Sequence, residues 1–166
     1  MYTKVLFAND EAITAAVKTL ARGGLVAFPT DTVYGVGAHA FIPEAVDRIY
    51  KAKVRPREKA IPILIAKAED LHLVAVEVPR TARLLIERFW PGGLTLVLPK
   101  NPSVPKEVSP GPTVAVRIPD NPIALAIIES LGAPMAVTSA NISGHPSPVT
   151  AQEVEEELWG ENRTYR

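Results

Sequence analysis

The stretch TVAVRIPDNPIALAIIESLGAPMAV, running from Thr113 to Val137, is the most decisive for the fold. Its first residues, Thr113 to Ile118, are rich in β-branched and apolar side chains and predict a strand. Asn121 followed by Pro122 is a helix start: Asn accepts from the free amides of the first turn, and Pro supplies a helical φ where no N–H is needed. The helix that follows is apolar nearly all round (Ile123, Leu125, Ile127, Ile128, Leu131), a composition suited to deep burial. Gly132 closes it, and Met135 to Val137 is a second short apolar strand. Strands apolar on both sides, separated by helices, predict a layered α/β domain whose helices cover a sheet.

The same alternation extends both ways. Asn9 caps a helix with Asp10 and Glu11 in its first turn; Ile13, Ala16, Val17, Leu20 and Ala21 share one face, and Gly23-Gly24 stops it. Leu25 to Phe28 predicts a strand, and after a loop Pro43 opens a helix whose inward stripe is Val46, Ile49 and Tyr50. Ile61 to Ala66 predicts a further strand, with Pro62 where no amide is given. Ala82, Leu85, Ile86 and Phe89 mark another helix, Thr95 to Leu98 a strand, and about Thr150 to Leu158 a last helix, acidic on its exposed side. The Pro/Ser/Gly-rich segment Lys100 to Pro112 is long for a loop in a compact domain, which fits a lid, a binding loop or disorder. One domain over residues 1–166 is expected, with no internal repeat or linker.

Composition removes several chemistries. With no cysteine among 166 residues, disulfides, thiolate zinc sites and thiol nucleophiles are excluded, and a reducing cytoplasm suits the chain. Lys4, Asn9, Asp10 and Glu11 come too early for a signal-peptide core, and no apolar run approaches the ~20 residues that span a bilayer. Lys plus Arg and Asp plus Glu are 18 each, so any nucleic-acid role must come from a local patch. His39, His72 and His145 have no metal-ligand spacing, and there is no G-x-S-x-G nucleophile elbow.

Three polar segments remain. Phe28 to Gly37, FPTDTVYGVG, follows a buried strand, where open α/β sheets bind ligands; it offers hydroxyls, a carboxylate and a phenol, but neither standard nucleotide fingerprint. Within it, Asp31 suits a base or a turn equally. Every second residue from Lys51 to Lys59 is cationic (Lys51, Lys53, Arg55, Arg57, Lys59). If extended, as Pro56 favours at Arg55, they form a one-sided comb for a polyphosphate or carboxylate; the same run also suits a solvated basic loop. Thr138 to Gly144 follows a strand, and Ser139 and Asn141 would project the same way if extended. Jointly the three segments point to an anionic, phosphate-bearing ligand.

With these segments in hand, the chain resembles the YrdC family of threonylcarbamoyl-AMP synthases. The resemblance lies in FPTDTVYGVG (Phe28 to Gly37), KVRP (Lys53 to Pro56), PGGLTLVL (Pro91 to Leu98), VAVRIPDNP (Val114 to Pro122) and SANISGHPSP (Ser139 to Pro148), in that order. It implies a twisted mixed sheet with flanking helices, similar to the dihydroxybutanone-phosphate synthase type. It implies an enzyme that joins L-threonine, bicarbonate and ATP, with magnesium accompanying the ATP and no tightly bound cofactor or protein metal site. The products would be threonylcarbamoyl-AMP and pyrophosphate, with the threonylcarbamoyl group passed on to tRNA by downstream transferase proteins.

The resemblance also assigns residues. Lys53, Arg55, Ser139 and Asn141 would be catalytic; Arg55, Lys59, Thr113, Ser139 and Ser147 would contact ATP; Thr32, Leu64, Arg117 and Val137 would contact threonine. Val54 stands where the family has a small residue, and Leu64 where many members have histidine. The family's glycine-rich turn and Ser-Thr-Val strand after the last helix have no counterpart in Gly160 to Arg166. Other readings are a double-stranded RNA or tRNA-binding module, and carbamoyl transfer as in hydrogenase maturation proteins, whose chains are far larger and carry cysteine zinc motifs.

Overall fold

A computed structural model describes residues 3–159. Helix α1 (Asp10–Ala21) starts where Asn9 Oδ1 accepts from Ala12 N at 2.8 Å. Strand β1 (Val26–Phe28) and strand β2 (Gly35–His39) form a hairpin, and helix α2 (Pro43–Lys53) follows. Strand β3 (Ile63–Leu64), a short 3-10 helix (Ala68–Leu73), helix α3 (Arg80–Phe89), strand β4 (Leu96–Pro99) and strand β5 (Thr113–Arg117) come next. Helix α4 (Pro122–Leu131), strand β6 (Met135–Ser139) and helix α5 (Ala151–Trp159) complete the order. The six strands make one mixed sheet in the order β1-β2-β6-β3-β5-β4, in which only β3 and β5 run parallel.

The sheet has two different faces. Partners in register share a face, and alternate residues of one strand do too. Phe28, Leu64, Met135 and Val137 therefore point one way, where they pack with Leu20 of α1 and Ala124, Ile127 and Ile128 of α4. Val36, Ala38, Ile63, Val114, Val116 and Ala136 point the other way, into a larger core with Val46 and Ile49 of α2. Asn121 Oδ1 accepts from Ile123 N and Ala124 N, and Gly132 ends α4 at φ 66, as the capping residues indicated. Among the described residues no helix is long and apolar enough to cross a membrane.

Two elements differ from the sequence reading. β2 occupies residues expected to be loop, and the strand expected over Ile61 to Ala66 is only Ile63–Leu64. Gly35 and Gly37 hide β2 because they lack the side chains that mark a strand, yet packing requires them. A Cβ on Gly37 would lie 2.8 Å from Met135 Cε and 3.0 Å from Val137 Cγ2. The Lys100–Pro112 segment is a packed wall: Val104 and Val108 are buried, Ile61 N donates to Val108 O (2.8 Å), and Lys100 Nζ donates to Ser109 O (2.6 Å). Residues 160–166, in which the family's last strand is expected to have no counterpart, lie outside the described residues.

Candidate active site

The site is built around the end of α2. Val46, Ile49 and Tyr50 seat this helix on the core, and Lys53, four residues after Ile49, continues the same inward stripe. Lys53 is consequently 1% exposed. Its Nζ donates to the backbone carbonyls of Ser139 and Asn141, while its own carbonyl accepts from Ser143 N at 2.9 Å. The lysine thus ties α2 to the turn that follows β6. Burial, together with the nearby Arg55 charge, lowers its pKa to about 8, and Glu157 opposes the shift.

The extended comb does not form. Lys51 and Lys53 lie in the last helical turn, and Val54 ends the helix in the left-handed region (φ 50, ψ 44). The five cations are thereby dispersed. Lys51 and Arg57 both pair with Asp47, whose carboxyl is held below its ordinary range chiefly by the Arg57 hydrogen bond. Arg55 folds back, Nε donating to Lys59 O (3.1 Å) and Nη2 to Ala60 O (2.9 Å). Lys59 is exposed, and its carbonyl also accepts from the Tyr50 hydroxyl at 3.1 Å. Arg55 is half-buried beside Lys53, and Lys59 remains exposed.

Ser139 and Asn141 do not project alike. Ser139 ends β6, whereas the Asn141 amide turns inward, Nδ2 donating to Ile142 O and His145 O, both at 2.8 Å. Its Oδ1 is buried with no partner among the described residues. The turn then returns to the first polar segment: Pro148 O accepts from Tyr34 N, and Tyr34 O accepts from Ala140 N, both at 2.9 Å. Ser147 is exposed beside this junction.

The Thr30 to Tyr34 loop reaches across the same face. Thr30 Oγ1 donates to Val33 O (2.6 Å) and accepts from Thr32 N (3.2 Å), which fixes a tight turn. Arg117 Nη1 donates to Thr32 Oγ1 at 3.4 Å, its Nη2 pairs with Asp31 Oδ1, and its Nε donates to Gly92 O at 2.8 Å. Asp31 Oδ1 also accepts from Asp120 N at 3.2 Å, so its role is to brace the guanidinium and not to act as a free base. Leu64 pairs in register with Arg117, and Gly35 and Gly37 with Ser139 and Val137. Thr32 therefore overlies a sheet face on which Leu64, Arg117, Val137 and Ser139 all point the same way.

Thr113 begins β5 on that face and is exposed, as is Val97 of β4. It lies three residues before Val116, and Ser139 three after Ala136, positions linked through Ile63; both sit toward the same end of the sheet. The structure thus joins Lys53, coming from the α2 side of the sheet, to the backbone carbonyls of Ser139 and Asn141, and Thr32 to Arg117 over the opposite face, to which Ser139 points. Ser147, Lys59 and Thr113 are exposed. Asp31 was weighed in the sequence as a base or a turn residue but not as the brace of Arg117, and Gly92 and Glu157 were not singled out as site residues. The motifs PGGLTLVL and FPTDTVYGVG contained the first two, but pairing across the chain shows only in three dimensions.

The Sua5/YciO/YrdC family model, described as telomere recombination, matches residues 18–165. The threonylcarbamoyl-AMP synthase of Pyrococcus abyssi is 50% identical over 89% of this chain and 44% of its own length. That of Bacillus subtilis is 44% identical over 95% of this chain and 46% of its own. The crystal structure of P. abyssi Sua5 complexed with L-threonine superposes with a TM-score of 0.89 at 48% identity, covering 93% of this chain and 46% of that one. The chain spans about half the length of these relatives. It belongs to the Sua5/YciO/YrdC family.

Proposed function

We propose that this chain is a nucleotidyltransferase that forms threonylcarbamoyl-AMP and pyrophosphate from L-threonine, bicarbonate and ATP, supplying the tRNA threonylcarbamoyladenosine modification in the cytoplasm. The observation that carries this reading is the shared sheet face. Ser139 points to the face that carries the braced Arg117 with Thr32, and Lys53 holds the Ser139 and Asn141 carbonyls from the α2 side, in a chain half identical to a named synthase. A relative's complex with L-threonine supports placing the amino acid against Thr32, Leu64, Arg117 and Val137.

The chemistry follows from charge. Threonine's amine attacks bicarbonate with loss of water, and an oxygen of the resulting N-carboxy-threonine attacks the α-phosphate of ATP, expelling pyrophosphate. Two anions must approach, so the site must supply fixed positive charge and donors in place of water. Arg117 would orient the substrate carboxylate as a planar fork. Arg55 and Lys59 would face the triphosphate, with Thr113, Ser139 and Ser147 as neutral donors. Lys53, enclosed by two carbonyls, would hold Ser139 and Asn141 in place and add positive charge nearby. Magnesium would accompany the ATP and offset part of the charge on its phosphates.

The RNA-binding reading loses its contiguous basic stripe, because Asp47 takes up two of the five cations. The product would pass to downstream threonylcarbamoyl transferase proteins. Incubation with labelled bicarbonate, threonine and ATP tests the proposal: pyrophosphate release that needs all three supports it, and release equal without threonine overturns it.

A further inference from the structure

We propose that Glu157 of α5 is a positioning residue that sets the Asn141–Ser147 turn for nucleotide binding; this rests on the reading above that the turn contacts ATP. The helix carries four acids, Glu153, Glu155, Glu156 and Glu157, and composition alone makes them a solvated face. The structure separates them. Glu153 serves its own helix start, accepting from Val149 N at 2.7 Å and Thr150 N at 3.3 Å. Glu157 instead leaves the helix for the turn: Oε2 accepts from Ile142 N at 3.1 Å, and both carboxylate oxygens meet His145 Nδ1, at 3.0 and 3.2 Å.

Those two contacts complete a clamp. From inside, the Asn141 amide donates to the carbonyls of Ile142 and His145; from outside, Glu157 takes up the Ile142 N–H and the His145 ring. The buried neighbours Val154 and Leu158 anchor α5 to the core, so the carboxylate is presented from a fixed base. Ser139 and Ser147 flank the clamped segment. Thr32 and Arg117 have braces of their own in Asp31 and Gly92, and the Tyr34 link to the turn runs through Ala140 and Pro148, outside the clamped segment. Loss of Glu157 should therefore weaken ATP and spare threonine, a split that a general loss of stability would not produce.

A charge-assisted hydrogen bond to a partly exposed carboxylate corresponds to roughly tenfold in affinity. Calorimetric titration of Glu157→Ala with ATP, and separately with L-threonine, should show ATP weakened by about that factor and threonine at parental affinity. Hydrogen exchange at the Ile142 amide should accelerate while core amides stay protected. Glu157→Gln, which keeps an acceptor for Ile142 N–H, should restore most of the ATP affinity. Should Glu157→Ala fail to fold, His145→Ala provides the test, with a smaller loss of ATP affinity expected. Parental ATP affinity in the alanine variant, or equal loss of ATP and threonine, overturns the inference. A parent that releases pyrophosphate while Glu157→Ala binds ATP unchanged overturns this inference alone; a parent that binds no ATP overturns the functional reading with it.

Discussion

Replacing Lys53 with Met tests the energetic cost of a buried cation at the centre of the site. Lys53 is 1% exposed, and its pKa falls from the ordinary 10.5 to about 8, mainly through burial. The folded chain releases this proton before the unfolded chain does. Between those two values the unfolded state binds more protons, and stability rises with pH. Below about pH 8 the charged ammonium is held at a cost; above it the neutral amine keeps two N–H donors for the Ser139 and Asn141 carbonyls. At about 1.36 kcal/mol per pKa unit the full change is on the order of 3 kcal/mol. Met fills the volume without titrating, and its loss of two hydrogen bonds does not depend on pH. Urea unfolding of parent and Lys53→Met from pH 7 to 10 should show the parent gaining on the variant as pH rises. A difference that stays flat, or shrinks, would refute the reasoning.

Val54→Gly should stabilise the chain by on the order of 0.5–1 kcal/mol: left-handed geometry disfavours a β-branched residue by roughly 1–2 kcal/mol, and glycine's added unfolded-state freedom returns part of that. A lower urea midpoint would contradict it. Gly37→Val should destabilise by about 1–3 kcal/mol, because the new side chain overpacks against Met135 and Val137; an unchanged midpoint in chemical denaturation would count against the register. Asp31→Asn removes the ionic partner of Arg117, at a pair whose side chains are only 14% and 18% exposed. Threonine affinity by calorimetry should fall about tenfold with ATP affinity kept, and an equal fall in both would show a general defect.

Much of the architecture was legible because its signals were local. Asn9, Asn121, Pro43, Gly23 and Gly132 marked helix ends through backbone chemistry that acts within a few residues, and the structure places helix ends at each. β2 was not legible, since the reason for Gly35 and Gly37 is the approach of Val137 and Met135 from a distant strand. The basic run misled for a related reason. Alternation suggested a comb, but Lys53 belongs to the helical stripe of Val46 and Ile49, and the helix extends far enough to bury it. The small residue expected in place of Val54 has its explanation in the left-handed helix end. Asp31 and Glu157 became meaningful only once tertiary contacts set them against Arg117 and Ile142.

Backbone amide mapping by NMR tests the central claim most directly: one sheet face receives both the amino acid and the nucleotide. Added together, L-threonine and ATP should shift the amides of Thr32, Leu64, Arg117 and Val137 along with those of Ser139 to Ser147, as one contiguous set. Shifts confined to separate surfaces, or none near Thr32 and Ser139, would contradict the account.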